Sequence, residues 1–200
     1  MTTTTSIILA VSVGINVLLI LLFLEQRRII TTDTLTGLLN KVGLAQRKNG
    51  RYGRGRRGGW LFLERRHRHV GGGAVLYLDL DKFKPVNDTY GHHVGDLLIV
   101  EFSKFLKQQI RTKDTLARLH GDEFVVVLEE VDEAEAQKVA HKIVDNLKHH
   151  VFKVYHHDIK LEATVGVAYM KHGEEFDLDT LIKNADQAML KSKKGEREVR

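Results

Sequence analysis

Two adjacent acids, Asp122 and Glu123, are the residues of this 200-residue chain whose types and spacing are best suited to chemistry. They follow Gly121 between two hydrophobic runs, and turn residues between two such runs predict a β-hairpin. Two carboxylates at a hairpin tip add little to packing, but their oxygens are the ligands that a hard divalent cation prefers. The pair therefore predicts a metal site at the tip of a hairpin.

A third acid, Asp79, lies at the end of a predicted strand, Ala74 to Asp81. If that strand neighbours the hairpin, the carboxylate of Asp79 joins those of Asp122 and Glu123. The three would then suit Mg²⁺ or Mn²⁺, with substrate phosphates completing the shell. Each acid taken alone is more typical of a solvated turn, so it is their combination that favours a metal site.

Strands and helices alternate around these acids. Apolar residues at helical spacing predict an amphipathic helix over Gly95 to Arg111. The remaining elements are predicted as helices from about Glu133 to His150 and Leu178 to Lys194, and as strands around Phe152 to Tyr155 and Ile159 to Tyr169. This alternation indicates an α/β sandwich, and its sheet is predicted to be mixed because the hairpin is antiparallel. At the start of the domain, Asp33 or a neighbouring Thr can cap a helix.

The composition sets the scale of the molecule. With 42% hydrophobic residues, the chain has room for one full-sized globular domain and little more. It contains no Cys, which excludes disulfides and Cys-based metal sites.

The beginning of the chain predicts a membrane anchor. Ile7 to Leu24 is an uncharged apolar run that would span about 27 Å as a helix, close to the hydrocarbon thickness of a bilayer. A cleaved signal peptide is the alternative, but Met1 to Ser6 lacks the positive side chains with which such a peptide begins. Arg27 and Arg28 follow the run, so the positive-inside rule places the rest of the chain in the cytoplasm.

The positive charge is concentrated in one segment. Arg47 to Arg68 carries nine Arg or Lys residues against one Glu, although the whole chain has a formal net charge of only +5. The Gly-rich part lacks hydrophobic periodicity and predicts a loop, bounded at residues 47–73. Three uses remain open: a solvated loop, contact with an anionic membrane surface, or nucleic-acid binding. Proximity to the anchor favours the membrane, and no nucleic acid is expected as a partner.

Four sequence blocks, in order, resemble the diguanylate cyclases, the GGDEF family. The signature block is His120 to Phe124, with His120 where the family has its first Gly. The other blocks are Asp33 to Lys41, Asp79 to Asp96, and Ala185 to Leu190 followed by Lys193 and Arg197. The resemblance covers Asp33 to about Arg197. It implies a palm-like nucleotidyl cyclase fold, with a mixed central sheet flanked by helices, which the predicted transmembrane helix would precede.

The resemblance also implies roles for individual residues. Glu123 and Asp122 would be catalytic, with Glu123 acting as a metal ligand or as the base for a ribose 3′-hydroxyl. The metal, Mg²⁺ or Mn²⁺, would be held by Asp79, the Leu80 carbonyl, Asp122 and Glu123. The residues that would bind GTP are Lys84, Asn87, Asp96, Gly121, Lys193 and Arg197. Among them Asn87 and Asp96 would read the guanine edge, and the Lys and Arg residues would neutralise the triphosphate.

The implied activity is the condensation of two GTP molecules to cyclic di-GMP with loss of two pyrophosphates. Each subunit would present one GTP to the other, so the active form would be a homodimer. Arg111 and Asp114 form an RxxD motif before the signature, which in this family marks an inhibitory site for the product. The expected division is a tail (1–5), a transmembrane helix (6–24), a linker (25–32) and the cyclase domain (33–200). A single-pass protein of the cytoplasmic membrane, with its catalytic domain in the cytoplasm, is expected.

Two departures from the family leave alternatives open. Glu196 stands where the last block has a Gly. If the first signature position requires a positive φ, a His has a cost there but is better tolerated than a β-branched residue. If the position must leave open space for a phosphate, His120 obstructs, whereas it assists if it donates to a phosphate. The alternative function is therefore a catalytically inactive receptor that binds cyclic di-GMP at Arg111 and Asp114. A related cyclase for another base is a third hypothesis, against which Asn87 and Asp96 argue.

Overall fold

The computed structural model describes residues 2–51, 72–170 and 177–198, with side chains described except at 2–11, 27–29, 48–51 and 196–198. The helices are α1 (Thr2–Thr31), α2 (Lys41–Arg51), α3 (Phe83–Tyr90), α4 (His92–Gln109), α5 (Glu133–His149) and α6 (Leu178–Glu198). The strands are β1 (Gly73–Asp81), β2 (Thr115–His120), β3 (Glu123–Glu129), β4 (Phe152–Val154), β5 (His157–Ile159) and β6 (Glu162–Met170). Of the predicted basic loop, residues 47–51 end α2 and residues 52–71 lie outside the described ranges.

The central sheet has the strand order β2-β3-β1-β6, and every neighbouring pair in it is antiparallel. The predicted mixed sheet is therefore wrong for the described strands. The helices between β1 and β2 would allow these strands to be parallel neighbours, but β3 lies between them and pairs antiparallel with both. A parallel contact occurs only as an isolated bridge between Leu39 and Ala117 within the described part of the chain.

Strand β1 is buried on both faces because each face meets a different set of helices. Leu76, Leu78 and Leu80 belong to a core that includes side chains of α4 and α5. Val75 and Tyr77 alternate with them and belong to a second core with α6. Since side chains alternate along a strand, Asp79 lies on the same face as Tyr77. The acid at the end of β1 is thus directed to the α6 side of the sheet.

Several predicted elements differ in detail. The strand predicted over Ile159 to Tyr169 is divided, because β5 pairs with β4 as a separate hairpin and β6 joins the central sheet. The helix predicted from Gly95 begins earlier, at His92, and α3 precedes it without having been predicted. Gly91 separates the two helices with φ +83°, a conformation that favours glycine.

The entry segment is organised by two polar side chains. Asp33 was expected as a possible helix cap, but its carboxylate accepts hydrogen bonds from the backbone N–H and hydroxyl of Thr36, within a turn before α2. The helix is capped by Asn40 instead, whose side-chain oxygen accepts from the N–H of Gly43 at 2.9 Å.

Helix α1 includes the apolar run and continues through the predicted linker to Thr31. Its described large apolar side chains, from Val13 to Leu24, are half or more exposed. The sequence predicted a transmembrane helix over residues 6–24. Within the described residues, however, no helix combines the length and the apolar character needed to cross a membrane.

Candidate active site

Pairing of β1 with β3 brings the predicted acids together. Asp79 is opposite Glu123 in the antiparallel register. One residue further, the N–H of Leu80 points to the carbonyl oxygen of Asp122 at 3.4 Å. This register places the carboxylates of Asp79, Asp122 and Glu123 at one end of the sheet. It agrees with the prediction that the end of β1 lies beside the tip of the hairpin.

The hairpin turn is held by its backbone and by Arg118. Gly121 has φ +50°, and a Cβ at this position would meet nothing within 4 Å, so the glycine serves backbone conformation rather than packing in this chain. Arg118 donates from Nε to the carbonyl oxygen of Gly121 at 2.9 Å and from Nη1 to both oxygens of Asp33 at 2.9 and 3.1 Å. Hydrogen bonds from Thr36 and Arg118 outweigh the opposing effect of burial and lower the pKa of Asp33. The entry segment is thereby joined to the signature turn.

His120 does not occupy a strained backbone position. Among the described residues, positive φ outside glycine is confined to Lys82, Glu130 and Tyr155. The His120 side chain is 71% exposed, and its Nε2 lies 2.9 Å from Oε2 of Glu123. The cost that a positive φ would have for a His is thus absent at His120.

Lys193 reaches the acids from α6. Its Nζ donates to Oδ1 of Asp79 and lies 3.4 Å from Oδ1 of Asp81. Although burial disfavours the charged form, the hydrogen bond and negative charge of Asp79, with those of Asp81, raise the pKa of Lys193. Asp81, which had no assigned role, also accepts from the hydroxyl of Thr164 at 2.9 Å. The alternation of Asp79 and Asp81 on one strand face was the signal for this second acid.

Glu123 is bound by a residue that the sequence reasoning missed. The hydroxyl of Tyr77 donates to Oε2 of Glu123 at 2.5 Å. Burial first, and then the hydrogen bond and charge of Glu123, raise the pKa of Tyr77 above its usual range. The available signal was a tyrosine inside a buried strand, because a buried hydroxyl requires a partner.

The acidic cluster fits a divalent cation electrostatically. Burial and the charge of Asp79 raise the pKa of Asp122, against the lowering effects of its own backbone, Lys193 and His120. Within the described residues, no three His, Asp or Glu side chains are arranged to hold a metal ion. Asp79 is engaged by Lys193, and Glu123 by Tyr77. Burial comes first in raising the pKa of Asp122, and a cation among these oxygens would relieve the second cause, which is repulsion by Asp79.

The predicted guanine readers lie on either side of the α3–α4 turn. Asn87 is partly buried on α3, and its side-chain oxygen occupies the space that a Cβ on Gly95 would need. Asp96 follows Gly95 on α4 and is exposed, so the two readers are close to each other. Lys84 is exposed one turn before Asn87. The side chain of Arg197 lies outside the described residues.

The predicted inhibitory residues form a compact turn beside a cavity of about 210 Å³. Arg111 and Asp114 line the cavity with residues of α5, including Val139 and Lys142. The carboxylate of Asp114 accepts from the backbone N–H of Arg111 at 2.9 Å, so it also stabilises the turn. The Arg111 side chain belongs to an exposed residue.

Comparison with known proteins gives consistent results. The family model described as "Diguanylate cyclase, GGDEF domain" matches residues 30–199. The chain is 41% identical over 120 residues to the bifunctional diguanylate cyclase/cyclic di-GMP phosphodiesterase MucR of Pseudomonas aeruginosa, covering 60% of this chain and 17% of MucR. It is 36% identical over 122 residues to diguanylate cyclase DosC of Escherichia coli K12, covering 60% of this chain and 26% of DosC.

Solved structures show the same fold. Diguanylate cyclase SiaD of Pseudomonas aeruginosa, solved in complex with its activator SiaC, superposes with a TM-score of 0.69 at 28% identity, over 94% of this chain and 67% of SiaD. The coiled coil and GGDEF domain of DgcB from Caulobacter crescentus, solved with cyclic di-GMP, gives 0.74 at 22% identity, over 94% of this chain and 93% of that one, and supports the fold alone. The chain belongs to the diguanylate cyclase GGDEF domain family.

Proposed function

We propose that this chain is a diguanylate cyclase, which joins two GTP molecules into cyclic di-GMP and releases two pyrophosphates. The observation that carries this proposal is the meeting of Asp79, Asp122, Glu123 and Lys193 at the end of β1. Acids that repel one another beside a lysine are suited to binding a cation together with phosphates. Family membership and relatives named as diguanylate cyclases support the reaction class.

The reaction consists of two equivalent substitutions at phosphorus. In each, the 3′-oxygen of one GTP bonds to the α-phosphorus of the other, and the bond from that phosphorus to pyrophosphate breaks. Glu123 would accept the proton of the 3′-hydroxyl, and Lys193 would exchange part of its contact with Asp79 for the phosphates. A bound Mg²⁺ or Mn²⁺, held by Asp79, the Leu80 carbonyl, Asp122 and Glu123, would supply charge neutralisation at the α-phosphate.

Substrate selection is assigned to the α3–α4 turn. Asn87 and Asp96 would hydrogen-bond the guanine edge, because an amide can donate and accept while a carboxylate accepts from the N1 and N2 hydrogens. Lys84 and Arg197 would neutralise the triphosphate, and Gly121 would allow the backbone to approach it. The proximity of Asn87 to Asp96 across Gly95 supports the pairing of the two readers.

The active form is proposed to be a homodimer at the cytoplasmic membrane. Two GTP molecules must react, and the described part of each chain brings together one acidic cluster of this kind. The uncharged run Ile7 to Leu24 and the exposure of its described apolar side chains support attachment to the membrane, and Arg27 and Arg28 after the run favour a domain in the cytoplasm. Contact of the basic segment with anionic lipid would add to this attachment. Co-sedimentation of the chain with membranes after carbonate washing tests it, and release into the supernatant contradicts it.

Feedback inhibition is proposed at Arg111 and Asp114. Both residues line the cavity of about 210 Å³. Arg111 would supply a cation to cyclic di-GMP and Asp114 an acceptor for its guanine, which supports this site. We expect the dinucleotide to inhibit the wild-type chain and to inhibit Arg111→Ala far less. Equal inhibition of the two chains would assign the effect to another site.

A non-catalytic receptor for cyclic di-GMP is the second candidate. It is favoured by a specific observation, since Tyr77 already engages Oε2 of Glu123 and Lys193 already engages Oδ1 of Asp79. One experiment separates the candidates: the purified full chain is incubated with Mg²⁺ and each labelled nucleoside triphosphate in turn, and products are identified by mass. Cyclic di-GMP from GTP alone supports the cyclase. Dinucleotide binding without any product supports the receptor, and a product from another nucleotide would assign a different base.

A further inference from the structure

The hydroxyl of Tyr77 is buried within the sheet and directed at the proposed base. Tyr77 is 6% exposed and lies two residues before Asp79 on the same face of β1. Its hydroxyl donates to Oε2 of Glu123 at 2.5 Å. Tyr77 is therefore a donor to Glu123.

A second contact with the same oxygen comes from His120, on the strand that pairs with the other side of β3. Nε2 of His120 lies 2.9 Å from Oε2 of Glu123. Within the part of the chain that the structure describes, no hydrogen bond is made by Oε1 of Glu123. The two oxygens of this carboxylate therefore differ: Oε2 is held and Oε1 is available.

We propose that Tyr77 is a positioning residue that, with His120, fixes Glu123 through Oε2 so that Oε1 serves the reacting 3′-hydroxyl or the cation. This inference rests on the proposed function and adds to it the residues that orient the base. It also gives His120 a use. An imidazole in place of the usual glycine places a ring nitrogen 2.9 Å from Oε2 of Glu123, from a backbone position that is not strained.

The size of the expected effect follows from the chemistry of positioning. A hydrogen bond to a charged group is stronger than a neutral one, and small displacements of a catalytic group lower rates by one to two orders of magnitude. Among the described residues, the Tyr77 hydroxyl bonds Glu123 and none of the residues proposed to bind the guanine or the triphosphate. Loss of the Tyr77 hydroxyl should thus lower kcat and leave KM for GTP nearly unchanged.

The experiment compares Tyr77→Phe with a matched control in the full chain. Tyr155→Phe is the control, because it removes a hydroxyl that bonds His93 at 2.7 Å on an exposed hairpin. We expect Tyr77→Phe to lower kcat by about tenfold with KM for GTP within about twofold, and Tyr155→Phe to change neither. A kcat within about twofold of wild type, or a fall in kcat matched by an equal rise in KM, would overturn the positioning role.

Combining Tyr77→Phe with His120→Ala tests whether the two contacts act on one oxygen. Each single variant keeps the other contact, so the double variant should lose more in kcat than the product of the two single losses. Losses in kcat that simply multiply would contradict the proposal that Tyr77 and His120 act on the same oxygen, Oε2 of Glu123.

A measurement without turnover separates this inference from the proposed function. Mn²⁺ affinity is measured by electron paramagnetic resonance with a non-hydrolysable GTP analogue. We expect Tyr77→Phe to weaken Mn²⁺ binding by about threefold or more and Tyr155→Phe to leave it unchanged. If the wild-type chain makes no cyclic di-GMP but this difference is found, the cyclase proposal fails and the positioning role stands. If Mn²⁺ affinity and kcat are both unchanged, the positioning role fails while the cyclase proposal stands.

Discussion

At the scale of single residues, Asp122 is held in a state that is unfavourable for stability and favourable for binding a cation. Burial and the charge of Asp79 raise its pKa. The unfolded chain releases this proton near pH 3.8, whereas the folded chain retains it to higher pH. Stability therefore falls as the pH rises through this interval, and the loss persists above it.

Replacing Asp122 by Asn should remove this penalty. We expect Asp122→Asn to raise the free energy of unfolding at pH 7 by about 0.5–1 kcal/mol in metal-free buffer, while abolishing product formation. Urea unfolding across a pH series checks this, with the exposed Asp145→Asn as the control. Added Mg²⁺ should stabilise the wild-type chain and not the variant. Lower stability of Asp122→Asn in metal-free buffer would contradict this account of the acidic cluster.

A substitution at Gly95 can displace Asn87, one of the proposed guanine readers, without changing the acidic cluster at the end of β1. A Cβ here would overlap the side-chain oxygen of Asn87, which is the end of a flexible side chain, while Phe83 lies at 3.6 Å. Gly95→Ala should therefore displace Asn87 and raise KM for GTP by about tenfold, since one hydrogen-bonded base contact corresponds to roughly that factor. Stability should change little, because alanine favours a helix. Steady-state kinetics and thermal melting check this, and an unchanged KM would contradict the role of Asn87.

At the scale of elements, α6 sets the position of Lys193. Gly166 on β6 lets this helix approach closely, because a Cβ there would overlap the carbonyl oxygen of Ala185 and lie 2.8 Å from Cβ of Met189. These contacts are backbone and Cβ atoms, which cannot move without moving the helix. The distance of Lys193 from the acids is therefore fixed by a glycine on a neighbouring strand.

Gly166→Ala should consequently destabilise the fold and lower activity together. We expect a loss of about 1–3 kcal/mol in the free energy of unfolding, as for other overpacked cores, with a reduced rate even at temperatures where the variant is folded. Gly195→Ala is the matched control on α6 itself, because a Cβ there meets nothing within 4 Å. That change should stabilise the helix by about 0.5–1 kcal/mol. Equal stability of the two variants in denaturant melts would refute close packing at Gly166.

The elements also show what local patterns can and cannot predict. Helices α5 and α6 begin at Glu133 and Leu178, close to which the sequence predicted that they would begin. The antiparallel partners of β1 were not predictable, since strand order depends on contacts between distant parts of the chain. Helix α3 was missed because its eight residues are too short for a periodic signal and contain Pro85.

At the scale of the whole molecule, the candidate site depends on three long-range contacts. Strand pairing brings Asp79 opposite Glu123, and the packing of α6 brings Lys193 to Asp79. Arg118 and Asp33 connect the signature turn to the entry segment. The motifs predicted which acids would meet. Tyr77 and Thr164 carry no motif signal, so their hydrogen bonds to Glu123 and Asp81 required the fold.

The measurement that tests the central claim most directly is the stoichiometry of the reaction in the purified full chain. With GTP and Mg²⁺, the wild-type chain should release two pyrophosphates for each cyclic di-GMP formed. Glu123→Gln should lower the rate by about a hundredfold or more, because it removes a general base or metal ligand. The control, Glu133→Gln at an exposed residue of α5, should leave the rate unchanged. Absence of cyclic di-GMP from a folded, dimeric wild-type chain, or full activity in Glu123→Gln, would contradict the assignment of this acidic cluster as the catalytic site.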